Sequence, residues 1–108
     1  MATIVEDDPA PNVAPLANDD LAATPKNTAV TFSVTANDVD PDGTIDLTSV
    51  VITTGPNTTF GGTVTNNGNG TVTFNPRRGF RGTDTFQYTV NDNDGATSNV
   101  ATVRVNVS

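Results

Sequence analysis

The residues best able to do chemistry in this sequence are carboxylates set two apart. Asp38, Asp40 and Asp42, followed by Gly43, spell Asp-x-Asp-x-Asp-Gly. That is the first half of an EF-hand calcium loop, in which alternate carboxylates turn inward and the glycine permits a sharp bend. In such a loop Thr44 would supply its carbonyl oxygen, and Asp46 would bind directly or through water. The twelfth position is Ser49, not the bidentate glutamate an EF-hand needs. The stretch therefore reads either as a calcium loop borrowed by another fold or as an Asx-type turn shaped by Pro41 and Gly43. Three carboxylates this close repel one another unless a cation neutralises them, which favours Ca2+ as the cofactor. Asn91-Asp92-Asn93-Asp94-Gly95 and Asn18-Asp19-Asp20 are two more oxygen-rich stretches. Each alone is ordinary turn chemistry, but together they add Asp92, Asp94, Asp19 and Asp20 to the candidate ligands.

Other chemistries lack their residues. Histidine is absent, which removes the commonest general base and the commonest zinc, copper or nickel ligand. Cysteine is absent too, so no disulfide or thiolate site is available. A serine nucleophile has no histidine base. Paired carboxylates such as Asp40 and Asp42 sit on one tight loop and make no cleft to hold a sugar, so a glycosidase is not expected and the chain reads as non-catalytic. Twelve acidic residues face five basic ones, and the net charge of -7 opposes nucleic acid and anionic membranes. No window approaches the roughly 20 apolar residues that cross a bilayer. The first residues lack the apolar core of a signal peptide, so any export signal is expected outside this chain.

The elements that must position the carboxylates are strands. Residues 1–13 (MATIVEDDPAPNV) have the composition of an extended linker, and residues 14–108 that of one domain. Within it, runs of Val, Thr, Phe and Ile alternate with Asn, Asp, Gly and Pro, with no helical period. Seven strands are expected: 17–24, 29–35, 47–54, 63–66, 71–75, 83–91 and 98–107. Val30, Phe32 and Val34 share one face of the second, Phe86, Tyr88 and Val90 one face of the sixth, and Ala101, Val103, Val105 and Val107 one face of the seventh. Asn67-Gly68-Asn69-Gly70 suits a hairpin that needs positive φ angles. Turn signals at this spacing indicate an all-β sandwich, read as an immunoglobulin-like Greek key, which the family resemblance given below would make cadherin-like. The stretch 84–90, DTFQYTV, resembles the immunoglobulin strand that carries the tyrosine corner, with Val90 where the second cysteine would stand. In this topology the three acidic stretches converge on one end, with Glu6, Asp7 and Asp8 leading into it. Lys26, Arg77, Arg78 and Arg81 fall at the other.

The segments PLANDD (15–20), ANDVDPDG (36–43), GTVTNNGNGTVTFNPRRGFRGTDTFQYTVNDNDG (62–95) and the valine-rich last strand make the resemblance specific. The chain is similar, over about residues 13–108, to the bacterial cadherin-like and immunoglobulin-like tandem repeats of large surface adhesins. The resemblance implies a repeat from an array on an exported, extracellular or cell-surface protein, often calcium-dependent. Its partners would be neighbouring repeats head to tail, with a host or surface ligand as a further candidate, and the isolated chain would be a monomer. Two features depart from the family pattern: NDNDG where a single Asp-Gly turn is usual, and the basic PRRGFRG. The alternative is a ligand-binding, for example carbohydrate-binding, sandwich module. Against it, Tyr88 is the only tyrosine, tryptophan is absent, and Phe60 and Phe80 are expected to fold back onto the core.

Overall fold

Period-two alternation places one face of each strand inward, and burying those faces against one another builds two layers. The computed structural model describes residues 12–108. Its strands are β1 (Asp20–Thr24), β2 (Val30–Ser33), β3 (Ile45–Ile52), β4 (Thr63–Asn66), β5 (Thr71–Asn75), β6 (Gly82–Asp92) and β7 (Ala101–Val107). One sheet runs β1-β7-β6-β3 and the other β2-β5-β4, the immunoglobulin-like sandwich expected from the sequence. β1 joins β7 in parallel, Asp20 opposite Val103 and Thr24 opposite Val107, and the other neighbours are antiparallel.

The core lies between the sheets. Val34, Val72, Phe74, Phe86, Tyr88, Val90, Ala101, Val103 and Val105 are fully buried there, with Val30, Phe32 and Ile52 packed at its margin. Fully burying a valine or phenylalanine side chain contributes on the order of 1.5–3 kcal/mol. β6 carries the most telling pattern: Asp84, Phe86, Tyr88, Val90 and Asp92 all point inward. An apolar centre is thus flanked by a buried carboxylate at each end.

Several strand limits differ from the sequence expectation: β1 begins at Asp20 and not at residue 17, β2 and β6 shift by one or two residues, and β3 and β7 move for identifiable reasons. β3 begins at Ile45, two residues early, because Ile45 pairs with Asp92 across from β6. A register shift between Asp46 and Val51 then absorbs the polar stretch between them. β7 begins at Ala101, not Ser98. Ser98 instead closes the neck of the β6–β7 hairpin, its amide donating to the Val90 carbonyl (2.8 Å) and its Oγ accepting from the Val90 amide (3.0 Å). The β4–β5 hairpin turns as expected at Asn67–Gly70. There Gly70 has φ +88°, and a Cβ would meet Thr35 Oγ1 at 2.9 Å.

Strand direction sorts the loops onto two poles. The start of β1 and the β2–β3, β4–β5 and β6–β7 connections share one pole; the β1–β2, β3–β4 and β5–β6 connections share the other. Of the acidic residues within 12–108, all but Asp84 fall at the first. Glu6, Asp7 and Asp8 lie outside the described residues, as does the expected linker up to residue 11.

Candidate metal centre

The last residue of β6 anchors the site. Asp92 is buried, and its Oδ1 accepts hydrogen bonds from the amides of Asp94 (2.9 Å) and Ala96 (2.9 Å). Oδ2 accepts from Asn12 Nδ2 at 2.8 Å. Burial by itself would push this carboxyl up, but donors from Asn12, Ala96, Asp94 and Gly95 outweigh it and hold the carboxyl below the usual range. The charge is therefore built in on an otherwise buried position.

Against Asp92 come Asp40 and Asp42 from the β2–β3 loop. One carboxylate oxygen from each of the three lies within 4.8 Å of the others. Asp42 Oδ2 accepts from the Val13 amide (2.8 Å). Asp40 differs: both its oxygens are shielded from solvent and neither has a hydrogen-bond partner among the described residues. Desolvation, then the carboxylates of Asp42 and Asp92, push its carboxyl above the usual range. The two loops are clasped beside the cluster. The Thr44 amide donates to Asn93 Oδ1 and the Asn93 amide donates to the Thr44 carbonyl, each at 3.0 Å. Gly43 faces this clasp, and any Cβ there would collide with Asn93 Oδ1 and reach 3.0 Å from Asp40 Oδ2.

A second cluster forms around Tyr88. The phenol is fully buried and its hydroxyl donates toward the Val34 carbonyl (2.6 Å) and Asp38 Oδ2 (2.7 Å), with the Asn18 carbonyl at 3.3 Å. The Asn18 amide donates to Asp38 Oδ1 (2.8 Å). Asp20 Oδ2 is buried without a partner, and burial, with added repulsion from Asp38 and Asp19, pushes its carboxyl up to about 6 against bonds from Tyr88 and Asn37. Burial likewise raises Asp38, with Tyr88 and the Asn18 amide opposing. Burial and these carboxylates push the Tyr88 phenol far above its usual range.

The candidate ligands thus divide. Asp40, Asp42 and Asp92 converge; Asp20 and Asp38 belong to the tyrosine cluster. Asp19 accepts from the Thr102 amide (2.9 Å) and pairs with Arg104 (3.7 Å) on the exposed sheet face. Asp46 caps its own turn through the Thr48 hydroxyl (2.7 Å) and amide (3.0 Å), which hold its carboxyl low. Asp94 is exposed and contributes its amide to Asp92. Sequence reasoning missed Asn12 and the Val13 amide, hidden in a stretch with linker composition, and the hydroxyl of Tyr88. The last point is a correction. Tyr88 does not close a local tyrosine corner but reaches along the inner face to the end of β2 and the loop after it, because it stands in the middle of β6 and not near its start.

The family model for the bacterial Ig domain matches residues 12–106. The chain is a bacterial Ig domain. Members of this family are typically non-catalytic modules, commonly of surface or extracellular proteins. A search of curated proteins finds no match. Among solved structures, this bacterial Ig domain is similar to a nucleoside hydrolase-related hypothetical protein from Saccharophagus degradans that is associated with carbohydrate metabolism, at 13% identity and a TM-score of 0.57. The match covers 92% of the present chain and 26% of that one, and at this identity it shows the fold alone. No helix among the described residues is long and apolar enough to cross a membrane. The domain's converged donors are all oxygen, with charge held on Asp92 and two unpartnered oxygens on Asp40, a set that fits a hard divalent cation.

Proposed function

We propose that this bacterial Ig domain is a calcium-rigidified spacer or adhesive repeat of an extracellular surface protein. The observation that carries the reading is Asp40: two desolvated carboxylate oxygens without a donor, facing two further carboxylates, are unfavourable until a cation joins them. Asp40, Asp42 and Asp92 would hold the ion, which supplies the positive charge the cluster lacks. Bound there, it would tie the β2–β3 loop to the β6–β7 loop and to the segment at Asn12 and Val13, stiffening the pole where the described chain enters. Calcium suits an irregular carboxylate set better than magnesium, which demands near-ideal octahedral geometry.

The test is a calcium titration by calorimetry and thermal melt on the chain, with Asp40→Ala as control. At free calcium about 10 to 100 times the dissociation constant, linkage gives about 1.4 to 2.7 kcal/mol of stabilisation per site. Magnesium should give much less, and Asp40→Ala should lose most of the calcium effect. A melting midpoint indifferent to millimolar calcium would sink the proposal. The carbohydrate-binding alternative draws on one observation. Phe80 folds back on the core as expected, but Phe60 stacked on it remains 50% exposed at the opposite pole. Selective, tight binding in a glycan-array screen would favour that reading.

A further inference from the structure

The pole opposite the carboxylates carries its own surface. Lys26 stands in the β1–β2 connection, and Arg77, Arg78 and Arg81 stand in the β5–β6 connection. All four are exposed, and none makes an ion pair among the described residues. The one acidic residue nearby, Asp84, is buried and occupied by the Thr58 hydroxyl and the amides of Phe60 and Thr85 (2.9 Å each). The side chains here are also held in place. Arg77 packs its stem on Gly61, where a Cβ would come to 3.2 Å, and sets its guanidinium 5.8 Å from the centre of the Phe80 ring. Phe60 stacks on the same ring at 5.6 Å. A positioned arginine beside a half-exposed aromatic loses less side-chain freedom on docking than a free one.

At the carboxylate pole the complementary features recur: eight aspartates, with Val13, Val39 and Val100 each about half exposed among them. The described chain enters at that pole through Asn12 and reaches the other through Ser108, whose amide donates to the Thr24 carbonyl and whose carbonyl accepts from the Lys26 amide. We propose that the basic, aromatic pole of one copy docks on the acidic, aliphatic pole of a second, in a head-to-tail contact between two different surfaces. This rests on reading the domain as a repeat module, but not on the calcium site.

The test is run on the whole chain with a chelator present, by sedimentation velocity and by NMR over a concentration series. In place of the monomer that the family resemblance implied, self-association is expected at low salt, weakening at least about 10-fold between about 20 and about 200 mM salt as screening shortens the reach of exposed charges. Amides of 26–28, 60–62 and 77–81 should shift together with those of 39, 40, 42–44 and 92–96. The combined Arg77→Glu, Arg78→Glu and Arg81→Glu variant keeps its acidic pole, so it should not self-associate yet should cap the wild-type chain. Phe60→Ser, at an exposed ring, should weaken association with the salt dependence retained. A chain that stays monomeric, association unaltered by the arginine reversals, or shifts confined to the β3 and β4 edges would overturn the proposal. So would a monomer whose basic-pole amides move only on adding heparin, which would assign that pole to an anionic glycan. Calcium binding without association sinks this proposal alone, and association in chelator without calcium binding sinks the other alone.

Discussion

Asp92 and Asp40 carry the same side chain in one cluster, yet burial pushes Asp40 up while hydrogen-bond donors keep Asp92 low. The difference is the backbone. The tight β6–β7 turn aims amides of residues 94 and 96 at Asp92, whereas in the loop around Asp40 the Asp42 amide lowers that carboxyl by less than burial raises it and forms no full hydrogen bond. Asp20 and Asp38 resemble Asp40 in being raised by burial. A carboxyl with a folded pKa above its unfolded one takes up its proton more readily in the native state, so its contribution to stability declines as pH rises between the two values. For Asp20 that window runs from 3.8 to about 6. Without metal, the melting temperature is therefore expected to fall as pH is raised from about 4 to about 7. Asp46 and Asp92, both lowered, act in the opposite sense and only at the acid end. Scanning calorimetry in chelator checks this: Asp20→Asn should flatten the slope and raise the midpoint at neutral pH, and a midpoint rising steadily to pH 7 would contradict it.

Among the elements, β6 joins the two poles. Its inward row ends in Asp84, which gathers the β3–β4 loop, and in Asp92, which gathers the β6–β7 turn, with Tyr88 between them reaching the end of β2. Tyr88→Phe removes a buried hydroxyl bonded to a carbonyl and a carboxylate, and should cost about 1.5 to 3 kcal/mol in urea unfolding. Hydrogen exchange should quicken at the Asn18 amide, which donates to Asp38, before it does at the centre of β7. Unchanged stability would mean that Val34 and Asp38 do not depend on the phenol. The strands themselves were legible because alternation in β2, β6 and β7 matches the pleat, and the Asn-Gly hairpin marks its own turn. β3 was legible only in its second half. Its parity changes at the register shift, from Ile45 to Val50 and Ile52, and a period-two reading cannot follow a strand that slips. In the site, spacing brought out the three acidic stretches. It could not separate Asp38 from Asp40, because the choice is made by Tyr88, fifty residues away. Nor does composition mark Asn12 as a partner of Asp92.

At the scale of the whole molecule, the core stabilises the sandwich by burial, and the carboxylate cluster would add to that only with a cation bound. Val103 is fully buried near the middle of the sandwich, in a cluster with Phe74, Phe86 and Val105 that takes in Val34 at the start of the β2–β3 connection but none of residues 35–44, where Asp40 and Asp42 stand. The fold should therefore exist without metal, as a well-dispersed NMR spectrum in chelator would show. Truncating Val103 to alanine should cost about 2 kcal/mol, from lost transfer energy plus the cavity left behind. That cost should be the same with calcium or with chelator, whereas the cost of Asp40→Ala should depend on calcium. Removing a repelling, unpartnered carboxylate should leave the metal-free protein as stable as before or more so, and should remove the calcium increment when the ion is present. Because the two sites share no partner, the double variant should show the sum of the single effects within about 0.5 kcal/mol under each condition. Urea unfolding of the four proteins with and without calcium measures every term. A Val103→Ala cost that changes with calcium, or a coupling well above that margin, would show that the loops and the core fold as one unit and that the metal holds the sandwich together rather than stiffening one of its poles.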